Sequence, residues 1–103
     1  MRYRYPVILI PAAEGGYTVL VPDLSGCVTQ GETAEEAFAM AKDAIAGWIE
    51  VALEDQEEIP KSSTLEKIVR HLNKILEAIV ETTEEREQVI LANVQADVPK
   101  VAA

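Results

Sequence analysis

The stretch that decides the fold runs from Tyr17 to Ile45 and reads YTVLVPDLSGCVTQGETAEEAFAMAKDAI. Its first residues alternate as in a β-strand, and the Pro-Asp-Leu-Ser-Gly segment at 22–26 is typical of a turn. Cys27 to Gln30 has the length of a short strand. Thr33 then begins a helix, because its hydroxyl can accept the amide of Glu36 while the Glu36 side chain returns the bond in a capping box. The stretch therefore predicts strand, turn, strand and capped helix in succession.

The residues before this stretch predict the other half of a β-hairpin. Tyr3 to Ala12 is rich in β-branched and aromatic residues, and Gly15-Gly16 supplies the turn. Pro6 and Pro11 have no amide hydrogen to donate. We therefore expect the first strand to have an unpaired side or to end early.

The helix that begins at Thr33 is predicted to end near Asp55, before an acidic stretch and Pro60. Its apolar residues recur at helical spacing and form one stripe, which can lie on one face of a sheet. Near the C-terminus, Val89 to Val98 alternates with a period of two, as a strand with one covered face does. The predicted order is β-β-β-α-α-β. We expect an α+β fold, with a small antiparallel or mixed sheet and the long helix packed on one face.

A second amphipathic helix is predicted from about residue 63 to residue 80. Ser63 and Glu66 can cap its start in the same way. Its apolar stripe needs a covering surface, which is either the rest of the domain or a second copy of the chain. We favour a dimer or tetramer, because one helix already covers the small sheet. The stripe, a predicted oligomer seam, consists of Leu65, Ile68, Leu72, Ile75 and Ile79.

Length and charge restrict the class of protein. A chain of 103 residues with 49% hydrophobic residues can bury one modest core, so we predict a single domain over 1–103. Eighteen acidic residues against nine basic ones give a net charge of −9. A free-standing nucleic-acid binder usually has the opposite sign, because its affinity comes largely from neutralising phosphates. The acidic balance favours a basic protein partner. We expect a cytoplasmic protein with no membrane segment.

The residues that could carry chemistry are few and scattered. Cys27 is the single cysteine and His71 the single histidine, and they lie far apart in the sequence. One thiol closes no disulfide within the chain, and one thiol with one imidazole makes no ordinary metal site. Gly15-Gly16 lacks the later glycine and lysine of a phosphate-binding loop. We therefore predict no catalytic residue, no metal and no cofactor, and a binding protein rather than an enzyme.

The stretch from Tyr17 to Ile45 resembles the HicB antitoxin family. The resemblance rests on Pro22-Asp23-Leu24, Gly26-Cys27, Thr29-Gln30-Gly31 and the capped, alanine-rich helix after Thr33. Asp23 is also expected to accept hydrogen bonds from the turn amides that follow it. These motif residues are predicted to define the fold first and to contact a partner second: Tyr17, Pro22, Asp23, Leu24, Gly26, Cys27, Thr29 and Gly31.

The resemblance implies a partial ribonuclease-H-like fold without the acidic metal-binding residues of that nuclease. It also implies the function of an antitoxin, which binds a small basic RNase toxin of the HicA type and covers its RNA-binding surface. An acidic antitoxin is electrostatically suited to a basic, RNA-cleaving partner.

The sequence departs from the family pattern in two ways. It stops five residues after Val98, where family members typically carry a DNA-binding module, so we expect no direct DNA binding. The helix at about 63–80 is extra. These departures leave open an alternative function, an orphan oligomeric scaffold of the same fold that binds neither toxin nor DNA.

Overall fold

The computed structural model describes residues 1–77 and 88–98, which form a four-stranded antiparallel sheet and two helices. The strands are β1 (Arg2–Pro11), β2 (Tyr17–Leu20), β3 (Val28–Gly31) and β4 (Ile90–Asp97), and the helices are α1 (Ala34–Glu54) and α2 (Leu65–Glu77). Across the sheet the strands are ordered β3-β2-β1-β4. The predicted small α+β fold is confirmed.

Strand β1 is the centre of the sheet. It pairs with β2 from Ile8 to Pro11 and with β4 from Arg2 to Leu9. At Pro6, β1 pairs with β4, and at Pro11 it pairs with β2. Each proline therefore lies at a position where β1 has a pairing strand on one side. The six residues from Tyr5 to Ile10 are all buried, because both faces of β1 are covered.

Helix α1 covers one face of the sheet. Thr33 is its N-cap, and the Thr33 hydroxyl accepts the backbone N–H of Glu36 at 3.0 Å. Gly31, at the end of β3, lies so close to Ala37 that a Cβ atom at position 31 would collide with the helix backbone. The buried residues of this main core are Tyr5, Val7, Leu9, Val19, Val21, Leu24, Cys27, Ala37, Ala41, Ile45, Ile49, Val94, Ala96 and Val98.

Helix α2 lies on the opposite face. Ile68 packs with Ile8 and Ile10, whose side chains point away from α1 because successive strand residues face opposite ways. The predicted Ser63–Glu66 capping box is wrong: the helix begins at Leu65, and the hydroxyl of Thr64 accepts the amide of Lys67 at 3.1 Å. Of the helices in the described part of the chain, none combines the length and apolar character of a membrane-spanning segment.

The C-terminus of α1 turns sharply back on itself. Gln56 has a φ of 58°, in the left-handed region that glycine usually occupies. Its amide donates to Leu53, and the amide of Glu57 donates to Ala52, which together form a Schellman motif. This turn brings the chain from α1 into the extended segment that leads to α2.

Candidate protein-binding surface

Asp23 joins the turn between β2 and β3 to the segment before α2. Its Oδ2 accepts the backbone N–H of Ser63 at 2.7 Å, and its Oδ1 accepts the Ser63 hydroxyl at 2.6 Å. The expectation that Asp23 binds the amides of its own turn is therefore wrong. Backbone carbonyls accept two of those amides: Leu24 donates to Val21, and Cys27 donates to Leu24. Asp23 is a positioning residue that fixes the approach to α2.

Tyr5 makes a second tie to the same segment. Its hydroxyl donates to the carbonyl oxygen of Pro60 at 2.6 Å. Burial is the main cause that raises the pKa of Tyr5, and the negative charge of Asp23 and the neighbouring Tyr3 add to it. Sequence analysis missed Tyr5, because an aromatic residue in a strand is typical of core and nothing local indicates a hydroxyl partner 55 residues away.

Trp48 ties α1 to the turn that contains Asp23. Its indole Nε1 donates to the carbonyl oxygen of Ser25 at 2.9 Å, and the half-buried ring packs against the main core. The helix and the Pro-Asp-Leu-Ser-Gly turn are thus fixed relative to each other by one polar contact and one apolar contact.

A groove of about 680 Å³ lies beside this contact, between the start of β3 and the C-terminal half of α1. We call it the Trp48 groove. Its two valines, Val28 and Val51, are 57% and 56% exposed, so the groove presents apolar side chains to solvent. Its lining includes Val28, Gly47, Trp48 and Val51, with the carboxylates of Asp55 and Glu57 at one end.

A second cavity of about 670 Å³ lies at the β1–β2 hairpin. We call it the hairpin cavity. Its lining is more acidic and includes Glu14, Tyr17, Gly31, Glu32, Glu36 and Met40.

The predicted partner-contacting residues do not form one surface. Tyr17 and Gly31 line the hairpin cavity, whereas Gly26 and Cys27 line the Trp48 groove. Leu24 is 1% exposed and belongs to the main core. The other three are Pro22, which is exposed, and Asp23 and Thr29, which are half-buried.

Negative charge is concentrated on α1 and its two flanks. Nine acidic residues and one basic residue, Lys42, lie between positions 32 and 58, and none of the nine is buried. Exposed basic residues lie on α2, on the opposite face of the sheet: Lys67 and Lys74, and Arg70, which pairs with the exposed Glu66 at 3.5 Å. The acidic residues are Glu32, Glu35, Glu36, Asp43, Glu50, Glu54, Asp55, Glu57 and Glu58.

The groups with potential for chemistry remain apart. Cys27 is a free, buried cysteine, and burial raises the pKa of its thiol, which favours the less reactive protonated form. His71 is exposed on α2, away from Cys27. Among residues 1–77 and 88–98, no three His, Cys, Asp or Glu side chains come close enough to hold a metal ion.

The residues of the predicted oligomer seam differ in how deeply they are buried. Ile68 is 6% exposed and packs on the chain's own sheet. Leu65 and Leu72 are half-buried, and Leu72 packs beside Ile68. The side chain of Ile75 and the whole of Ile79 lie outside the described residues. Whether the seam joins copies of the chain stays a prediction.

Known proteins share this fold. The chain resembles a Streptococcus pneumoniae toxin–antitoxin complex chain with a TM-score of 0.78 and 24% identity, covering 94% of this chain and 70% of the other. It also resembles a chain of the HicA3 and HicB3 toxin–antitoxin complex with a TM-score of 0.68 and 24% identity, covering 92% and 99%. At these identities the likeness shows the fold alone.

Sequence comparison gives the family. Antitoxin HicB 1 of Photorhabdus laumondii is 53% identical over 57 residues, which are 55% of this chain and 37% of that protein. The chain thus matches well under half the length of this curated relative. Residues 5–100 match the profile of the HicB_like antitoxin of bacterial toxin-antitoxin system family, which is nearly the whole chain. The chain therefore belongs to the HicB-like antitoxin family.

Proposed function

We propose that this chain neutralises a small basic RNase toxin of the HicA type by covering the surface with which that toxin binds RNA. The proposal makes the chain a binding protein whose effect comes from occupying a surface. The single observation that carries it is the concentration of exposed carboxylates on α1 and its flanks.

The negative charge of the chain suits it to compete with RNA for a cationic surface. A toxin that cleaves RNA needs a cationic surface, because phosphates dominate the affinity of proteins for nucleic acids. A protein surface with nine carboxylates between positions 32 and 58 offers the same charge as RNA and can compete for that cationic surface. The likeness to the antitoxin fold of a HicA3 and HicB3 complex supports a partner of this kind.

Co-expression in bacteria tests the proposal. Induction of a HicA-type toxin encoded next to this chain's gene should arrest growth and cleave RNA, and simultaneous expression of the chain should restore both. Absence of rescue, with both proteins present in the soluble fraction, would contradict neutralisation and would favour the alternative of an orphan scaffold.

A charge-matched pair of variants locates the effect. The double variant Asp43→Lys and Glu54→Lys reverses two exposed charges on α1, whereas Glu14→Lys and Glu66→Lys reverses two exposed charges elsewhere. Both variants change the net charge by the same amount. We expect the α1 variant to lose rescue and the second variant to keep it. Equal loss would mean that total charge, not the α1 surface, determines binding.

We also propose that the outer side of α2 joins copies of the chain into a dimer or tetramer. Val69 supports this proposal, since it is 54% exposed on the helix next to the inward-facing Ile68. Sedimentation velocity of the wild type and of Val69→Asp tests this proposal. The wild type should sediment as an oligomer and the variant as a monomer. A monomeric wild type would contradict the proposal.

A further inference from the structure

We infer that the Trp48 groove receives an apolar side chain of the toxin, and that a lysine or arginine beside that side chain meets the carboxylates of Asp55 and Glu57. This inference rests on the proposed function and assigns the toxin's contact to one place on the chain. In this groove the exposed Val28 and Val51 adjoin the carboxylates of Asp55 and Glu57.

Gly47 lines the Trp48 groove and leaves it open. Glycine is among the least favourable residues in the interior of a helix, and Gly47 lies near the middle of α1. A Cβ atom at this position would meet nothing within 4 Å, so packing within the chain does not require glycine there. The missing side chain keeps the Trp48 groove open, and close approach by a partner is a reason for a glycine that the fold itself does not need.

The negative charge at the end of α1 favours a cationic partner. The carbonyl end of a helix carries partial negative charge, which basic residues stabilise and acidic residues do not. The last turn of α1 has no basic residue. Instead the helix ends at Glu54, Asp55 is its C-cap, and Glu57 lies two residues beyond. The left-handed turn at Gln56 holds Glu57 near the groove as well. This arrangement opposes folding and becomes favourable when a cation binds.

Charge favours a basic toxin over a second copy of the chain as the occupant of the groove. A second copy of the chain would bring the same carboxylates against each other across a two-fold contact, and like charges placed opposite one another are destabilising. A basic toxin provides the opposite charge. The exposed Val28 and Val51 supply apolar contact area of the kind found at the centre of protein interfaces, with the carboxylates at the rim.

Filling the groove tests the inference. Gly47→Gln adds a long neutral side chain that favours a helix, so the melting temperature should stay equal to that of the wild type or rise. Calorimetric titration of the full chain with a purified HicA-type toxin should show a Kd at least about tenfold weaker for this variant. Ala39→Gln, at an exposed position of α1 outside both cavities, is the matched control and should bind as the wild type does.

Neutralising the carboxylates at the rim of the Trp48 groove provides a second test of the inference. Asp55→Asn with Glu57→Gln should weaken binding and make it less dependent on salt, and both effects should be larger than those of Glu14→Gln with Glu32→Gln. If the hairpin pair weakens binding and the rim pair does not, the hairpin cavity is the contact and the inference is overturned. Wild-type affinity of Gly47→Gln overturns the inference alone, with the proposed function intact. Failure of the wild type to bind any HicA-type toxin overturns both.

Discussion

The two carboxylate oxygens of Asp23 bind the two donors of Ser63, at 2.7 Å to the backbone nitrogen and 2.6 Å to the hydroxyl. This contact joins residues 40 positions apart and connects the family's Pro-Asp-Leu turn to the start of the segment that carries α2. Asp23, a motif residue predicted to define the fold first and to contact a partner second, thus has a structural role within the chain.

Asp23→Asn should destabilise the fold, because the uncharged amide has one acceptor oxygen in place of two and makes weaker hydrogen bonds than the carboxylate. Hydrogen bonds to charged groups contribute about 1.5–3 kcal/mol, and we expect a loss in that range. Urea unfolding at pH 7 measures it. Asp43→Asn, which alters an exposed carboxylate on α1, should change stability by less than about 0.5 kcal/mol. Equal small effects of the two variants would mean that the Ser63 contact is not populated in solution.

Tyr5 makes stability depend on alkaline pH. Its folded-state pKa is raised, mainly by burial and then by Asp23, so the neutral phenol is favoured in the folded chain. That contribution is complete below the unfolded-state pKa of about 10 and is lost as pH rises through the folded-state pKa.

Tyr5→Phe removes both the titration and the hydrogen bond to Pro60. We expect a loss of about 1 kcal/mol at pH 7 and a shallower fall in stability above about pH 10. Thermal unfolding from neutral to alkaline pH measures both quantities. Tyr17→Phe, at a half-buried position, should cost less than about 0.5 kcal/mol at pH 7. An unchanged alkaline profile in Tyr5→Phe would contradict the assignment.

Truncation of two neighbouring residues on α2 should change the free energy of unfolding by very different amounts. Ile68 is 6% exposed and packs on Ile8 and Ile10, so Ile68→Ala should cost about 2 kcal/mol or more. Val69 is 54% exposed, so Val69→Ala should change the stability of the monomer by less than about 0.5 kcal/mol. Denaturant unfolding at low protein concentration gives both values. A small effect at both positions would show that α2 does not pack on this sheet.

Gln56 offers a gain in stability. A non-glycine residue in the left-handed region, such as Gln56, costs about 1–2 kcal/mol in the folded state. Glycine removes this cost, but it also makes the unfolded chain more flexible, which offsets part of the gain. Gln56→Gly should therefore stabilise the fold by about 0.5–1 kcal/mol. Gln56→Ala is the control at the same position and should give no gain, because alanine has the same steric restriction. A gain in both variants would point to the side chain of Gln56 rather than its backbone.

The sequence predicted the features that depend on near neighbours. Thr33 and Glu36 lie three residues apart, and the hydrogen bond between them forms within one helical turn. The sequence did not predict the partner of Asp23, because Ser63 approaches it through the packing of the whole chain. The start of α2 shows the same limit. Ser63 and Thr64 are both suitable caps, and the contact with Asp23 leaves Thr64 to cap the helix.

The sequence pattern likewise did not predict which face of the sheet α2 covers. A continuous apolar run such as Tyr5 to Ile10 indicates a strand buried on both sides, yet it does not say which element covers the second side. The apolar stripe of α2 left packing within the domain and between copies open. In the structure Ile68 packs on Ile8 and Ile10 of its own chain. The Trp48 groove escaped prediction because it joins a strand and a helix across a turn.

Competition with RNA tests most directly whether the chain masks the RNA-binding surface of a toxin. A fluorescent RNA bound to a cleavage-deficient HicA-type toxin should be released in proportion to added chain, with the anisotropy falling to that of free RNA at equal amounts of chain and toxin. A stable complex in which toxin, RNA and chain are bound together would contradict masking.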